Sequence, residues 1–137
     1  MLHYGDCIVF LLAKAYQAAH SNFKRHVASY GLTPIQCLVV EALRDEEGIS
    51  AGELGRKLKL DSATLSGVMD RLAEQDWIIK ETDATDRRSL CISLTEKAKE
   101  IALPLSEVRQ KANDEIMAAL SMEEKIILKR LLKDLNA

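Results

Sequence analysis

Two clusters in this chain bring together residue types able to do chemistry. The first lies in the stretch TDATDRRSLCISLT (82–95), where Asp86, Arg87 and Arg88 stand together in a polar loop. Guanidiniums stay charged at any accessible pH, and their planar forks match phosphate and carboxylate. The second is a run of small and hydroxyl-bearing residues, Ser62, Ala63, Thr64, Ser66 and Gly67, with Arg71 one turn further on. Small residues let a helix approach another surface closely, and hydroxyls bond phosphates or base edges. From this helix alone, a merely solvated face explains the run equally well. The three cysteines, Cys7, Cys37 and Cys91, show no C-x-x-C spacing, and His3, His20 and His26 lack the partners of a metal site. A Gly-rich phosphate loop, a G-x-S-x-G elbow and an H-E-x-x-H pair are all missing, so the sequence points away from an enzyme and calls for no cofactor.

Stepping outward, helical periodicity must position these clusters. From about Asp6 to Tyr30, apolar residues Ile8, Leu11, Leu12, Ala15, Ala19, Phe23 and Val27 recur at three- and four-residue steps. Gly31 ends that helix, and Thr33-Pro34 starts the next, with Ile35, Leu38, Val39, Ala42 and Leu43 on one face. Ser50 and Glu53 have the spacing of a capping box for a short helix with Leu54 and Leu58 inward. Asp61 is placed to cap another, whose inner face is Leu65, Val68, Met69 and Leu72. Only a tight turn fits between these two, so they must cross steeply, as in a helix-turn-helix. Next come Trp77-Ile78-Ile79 and the alternating Leu90, Ile92 and Leu94, which predict a hairpin with the arginines at its tip. Thr95 opens a long helix with Ile101, Leu105, Val108, Ala112, Ile116 and Ala119 on one stripe and a bend at Pro104. Ser121 and Glu124 form a second capping box before Ile126, Ile127, Leu131, Leu132 and Leu135.

The chain has 137 residues, 47% hydrophobic and 29% charged, enough for one small core. Its formal net charge of −2 argues against a sequence-blind electrostatic binder of nucleic acid but leaves room for a local basic patch. No apolar run is long enough to cross a bilayer, and acidic Asp6 replaces the basic flank of a signal peptide, so the expectation is a reduced, cytoplasmic protein with no membrane partner.

The order of elements, and the stretch LDSATLSGVMDRLAEQDWIIKETDATDRRSLCISLT (60–95), resemble the MarR family of winged-helix transcription regulators. Asp86-x-Arg88 followed by Leu94-Thr95 matches the family's D-x-R…L-T wing, and Arg71-Leu72 with Trp77-Ile78 matches its R-L…G-L-I run. Asp76 stands where glycine is common, which should strain that turn slightly. The resemblance implies a mainly α fold with a small β-hairpin wing. Residues 34–95 would form the winged helix-turn-helix, and 1–33 with 96–137 the helical dimerisation region of one intertwined domain.

It further implies a homodimer that represses genes on double-stranded DNA until a small hydrophobic or phenolic effector, or oxidation, relieves it. Arg88 then matches a minor-groove position, with Asp86 holding its side chain, and Arg87 meets phosphate. The helix from Ser62 enters the major groove by its N-terminal part, with Arg71 on phosphate or bracing the wing. Ser50, Arg56, Lys57 and Lys59 are phosphate candidates, although ordinary surface charge explains the lysines as well. Cys7 is a candidate redox sensor. Aligned through Leu32-Thr33 and Gln36, however, the family's peroxide-sensing cysteine falls at Val9 and its partner tyrosine at Ala13. An effector crevice is expected between the first helix, the Ile35–Leu43 helix and the start of the Thr95–Ala119 helix. The competing reading is a winged-helix protein-binding module without DNA, which would place exposed apolar residues on the recognition face.

Overall fold

The computed structural model describes residues 3–136. In chain order they form a 3-10 turn at Tyr4–Asp6, α1 (Ile8–Val27), a second 3-10 turn at Ala28–Tyr30, α2 (Pro34–Asp45), β1 (Ile49–Ser50), α3 (Ala51–Leu58), α4 (Ser62–Glu74), β2 (Ile78–Thr82), β3 (Leu90–Leu94), α5 (Glu96–Ile116) and α6 (Met122–Leu135). The fold is mainly α with a small antiparallel sheet, as expected from the periodicity.

Local chemistry sets most boundaries. Thr33 accepts the Gln36 amide at 3.3 Å while Gln36 Oε1 accepts the Thr33 amide at 2.9 Å, and Pro34 supplies a first-turn residue with no amide to satisfy. Asp61 Oδ1 accepts the Thr64 amide at 2.7 Å and starts α4. Ser121 and Glu124 form the reciprocal box expected of them. At Ser50 only half of the box is made: its hydroxyl accepts the Glu53 amide at 3.1 Å.

Several details differ from the sequence expectation. The α-helical part of the first helix spans Ile8–Val27, with tighter 3-10 turns at both sides instead of one helix from Asp6 to Tyr30. Helix α5 ends at Ile116, so Ala119 lies in the turn before α6. Trp77 precedes β2. A third strand, Ile49–Ser50, pairs with β3 in the order β1-β3-β2, and two residues are too short to leave a periodic signature. As expected, Pro104 lies inside α5, on an exposed face, where its ring leaves the Glu100 carbonyl without a helical amide partner.

The core gathers around α2, where Val39, Val40 and Leu43 meet Leu54, Leu65, Val68, Leu72, Trp77, Ile92, Leu94 and Leu105. A Cβ on Gly55 would meet the Leu60 carbonyl at 3.3 Å and Leu65 at 3.4 Å, so the missing side chain lets α3 and α4 cross closely. Asp76 adopts φ 61°, the left-handed conformation its glycine-like position anticipates, and Lys59 does the same at φ 54°. Around Asp76 the turn is tied down. Thr95 Oγ1 donates to the Asp76 carbonyl at 2.7 Å, and Lys97 Nζ donates to the Gln75 carbonyl at 2.8 Å while lying 4.0 Å over the Trp77 ring.

Two apolar stripes remain uncovered within the chain. Phe23 and Val27 of α1 join the core, but Ile8, Val9, Leu11 and Leu12 are exposed. Helix α6 buries no residue, with Ile126 62% and Leu135 65% exposed. No helix among the described residues is long and apolar enough to cross a membrane.

Candidate nucleic-acid interface

Helix α4 presents its inner residues Leu65, Val68, Met69 and Leu72 to the core. At 100° per residue, the line directly opposite runs through Ala63, Gly67, Asp70 and Glu74. Ser62, Ala63 and Ser66 are exposed, and Gly67 is half-buried. Acidic residues occupy the later turns of this outward line, so only its first two turns suit a phosphate-lined groove. Asp70 is itself engaged, accepting from Lys80 Nζ of β2 at 2.7 Å. Thr64 sits on the flank nearer α1, and its hydroxyl donates to Asp61 Oδ2 at 2.9 Å. These bonds to Thr64 hold the Asp61 carboxyl below its usual range.

The basic residues divide into free and engaged. A Cβ on Gly67 would lie 3.8 Å from an Arg71 guanidinium nitrogen, and one on Gly52 would lie 3.7 Å from that of Arg56. Both arginines therefore lie back along their own helices, over a glycine. Neither makes an ion pair among the described residues, and no hydrogen bond among them ties the Arg71 side chain to the wing. Lys57 is paired with Glu46, and Lys59 Nζ donates to the Asn136 carbonyl at 2.6 Å, so these two lysines are tied to the protein. Ser50 caps α3 with its hydroxyl.

In the wing, the loop between β2 and β3 is closed by Asp83 N–H to the Ser89 carbonyl (2.9 Å) and Ser89 N–H to the Asp86 carbonyl (3.0 Å). Asp83 Oδ1 accepts both the amide and the hydroxyl of Thr85 at 2.8 Å, which keeps its carboxyl below the usual range. Asp86 Oδ1 accepts the Arg88 amide at 3.0 Å. The expected fork between Asp86 and the Arg88 guanidinium is thus replaced by a bond to the Arg88 backbone. Both carboxylates are used by the loop's own donors, and both guanidiniums, Arg87 and Arg88, are exposed and unpaired among the described residues. The scaffold residues Asp83 and Thr85 were not anticipated, although aspartate two residues before an amide it can accept is a readable turn signal.

Behind the interface, Glu41 of α2 accepts from Arg109 Nε of α5 at 2.8 Å through both oxygens, fixing the lobe to the long helix. Cys37 lies beside this pair, and burial with the neighbouring Glu41 charge pushes its thiol up to about 12. A crevice of about 520 Å³ opens between α1, the start of α2 and α5. Tyr16, His20 and Phe23 face Pro34, Ile35 and Leu38 across it, and Thr64 reaches its edge. Its α5 wall is Ala112, Asn113 and Ile116, the end of that helix and not the expected start. The start of α5 instead lines a separate hollow of about 340 Å³ with Leu43 and Arg44.

The remaining candidates separate cleanly. Cys7 is exposed at the N-cap of α1, where the Phe10 and Val9 amides lower its thiol pKa. Cys91 is half-buried in β3, its thiol raised by desolvation and by the nearby Asp83 charge. His26 bonds Glu115 at 2.7 Å, His20 lines the crevice, and His3 accepts the Gly5 amide at 3.0 Å.

A model described as MarR family matches residues 30–89. The HTH-type transcriptional regulator SarZ of Staphylococcus epidermidis is 31% identical over 108 residues, covering 79% of this chain and 73% of SarZ. The chain belongs to the MarR family. A probable transcriptional regulator from Pseudomonas aeruginosa superimposes on this MarR-family chain with a TM-score of 0.91 at 29% identity, covering 97% of this chain and 99% of that one. BpsR of Bordetella bronchiseptica, whose DNA binding is regulated by 6-hydroxynicotinic acid, superimposes with a TM-score of 0.93 at 24% identity, covering 99% and 97%. The helix-turn-helix of α3 and α4 and the hairpin of β2 and β3 are therefore the winged helix of a MarR-family transcriptional regulator.

Proposed function

We propose that this regulator works as a homodimeric repressor on a pseudo-palindromic operator, with Arg88 of each wing in the minor groove and the first two turns of each α4 in the major groove. The observation that carries this reading is the wing tip, where two arginines, unpaired among the described residues, stand on a loop whose Asp83 and Asp86 carboxylates each accept from the loop's own amides. Residues 1–33 and 96–137 supply the dimer base, because the bare stripes of α1 and α6 need a cover and a second copy offers the same pair. Two recognition helices related by a two-fold axis read half-sites about 10 base pairs apart.

Ser62, Ala63, Ser66 and Gly67 face the groove. Ser50, Arg56, Arg71 and Arg87 meet the backbone, and Asp86 shapes the loop. The crevice beside Thr64 takes a small aromatic effector, a reading supported by the regulation of BpsR's DNA binding by 6-hydroxynicotinic acid, and the effector shifts the spacing of the two lobes by binding one arrangement better. The large exposed apolar side chains cluster on α1 and α6 and not on α4, which disfavours a protein-binding role for the recognition face.

Fluorescence anisotropy on genomic fragments selected by the purified protein tests this reading. Arg88→Ala should cost about 1–3 kcal/mol per protomer with the fold and assembly unchanged. Equal affinity at moderate salt would remove the wing from the interface.

A further inference from the structure

We propose that α6 is a strut between the dimer base and the reading head, with Lys59 the positioning residue that fixes its far end and so sets the half-site spacing the regulator accepts. The inference rests on the homodimer reading above.

Lys59 closes α3 at the turn into α4. Its amide donates to the Arg56 carbonyl at 3.3 Å and the Leu60 amide to the Gly55 carbonyl at 2.9 Å, so the backbone there is locked. The locked conformation is left-handed, φ 54°, where only glycine escapes a steric cost. A lysine in that place burdens the fold, and what it adds over glycine is its side chain. That side chain leaves the lobe. Its Nζ donates to the Asn136 carbonyl, 77 residues away, at 2.6 Å.

Asn136 is the C-cap of α6. Its own amide donates to the Lys133 carbonyl at 3.1 Å and its Nδ2 to the Leu132 carbonyl at 2.8 Å, closing the last turn. The final carbonyls of a helix carry the negative end of its dipole, which an ammonium complements. Among the described residues, this is the one hydrogen bond that joins α6 and its caps to the winged-helix lobe. Helix α6 buries no residue, and its 14 residues span about 21 Å at helical rise. That span begins at the turn after α5, whose last residues share a crevice wall with Thr64, and ends at the α3–α4 turn. A partner seated on the bare stripe of α6 therefore also holds the turn that starts the recognition helix. One strut in each protomer then fixes how far apart the two reading heads stand, as half-sites one helical turn apart require. An exposed bond of this kind adds little to stability, so its effect lies in orientation.

The test uses the full chain and the operator it selects from a random duplex pool, remade with one base pair inserted or removed between the half-sites. The native sequence should bind either remade site roughly tenfold or more weakly, since both half-sites no longer face their helices together. Lys59→Met keeps the aliphatic stem and deletes the ammonium. It should lose most of that spacing penalty, with the native salt slope, because no phosphate contact has gone. Lys59→Arg should restore the penalty. Lys59→Gly should also lose it while melting a few degrees higher, because it relieves the left-handed backbone. Either a penalty that survives Lys59→Met, or a salt slope lower by about one, the mark of a lost phosphate contact, overturns the inference and leaves operator binding intact. A native chain that sediments as a monomer, or selects no paired half-sites, overturns the homodimer reading and the inference with it.

Discussion

Helices α2 and α6 are alike on paper and opposite in fate. They have 12 and 14 residues, each opens with a complete capping box, and each carries an apolar stripe. Yet α2 buries Pro34, Gln36, Cys37, Val39, Val40, Ala42 and Leu43, while α6 buries nothing. Amphipathic spacing states that a face will be covered and is silent about what covers it. In α2 the cover is the rest of the lobe. In α6 nothing among the described residues covers it, and the proposed cover is a second copy.

Substitutions on the two stripes should therefore separate folding from assembly. The largest effect is expected from Leu131→Glu on α6. If this stripe is the seam of the proposed homodimer, a charge placed in it should split the dimer and reduce operator affinity roughly a hundredfold or more, because the two half-sites are no longer engaged together. Sedimentation and anisotropy measure both, while the melting of the lobe should change little. A dimer that survives Leu131→Glu would erase the contrast between the helices. Leu43→Ala on α2 should act in the opposite sense, costing about 2–5 kcal/mol of stability by calorimetry without altering subunit stoichiometry at low temperature.

Finer tests use titration and backbone strain. Cys37 has its folded thiol pKa raised from 9.0 to about 12 by burial. Its contribution is fully present below pH 9 and is lost as pH rises toward 12, since the unfolded chain releases the proton first. Denaturant midpoints should thus fall from pH 8 to pH 10 in the native sequence and fall less in Cys37→Ala. The smallest effect is expected at Asp76, held at φ 61°. Asp76→Gly should raise stability by about 0.5–1 kcal/mol, read as a higher melting temperature with unchanged operator affinity.

Most helices could be read from the sequence because apolar spacing and cap residues agree, as at Thr33-Pro34, Asp61 and Ser121. The hairpin was readable from the alternation of Leu90, Ile92 and Leu94. Strand β1 was not, since its two residues are defined only by pairing with Ile92 and Cys91. The cap residues also failed to mark where α1 tightens into 3-10 turns. At the interface, residue types placed Ser62, Ala63 and Ser66 correctly on an exposed face. Partners were less accessible. That Asp86 bonds the Arg88 amide, that Lys59 meets Asn136, and that the crevice closes on Ala112 and Ile116 all depend on distances between elements. Periodicity carries no such distances.

The internally satisfied wing loop also shapes how the molecule meets its target. The chain carries a formal charge of −2, so as a body it is repelled by DNA, while the Arg87–Arg88 tip is a small cationic point held out from it. At physiological ionic strength fields fade over about 8 Å, so approaching DNA senses the tip before it senses the body. If the wing enters the groove as proposed, encounters are oriented wing-first. Added salt should slow association much more than it hastens departure, and a regulator of this build searches by brief, directional touches instead of clinging to whatever DNA it meets.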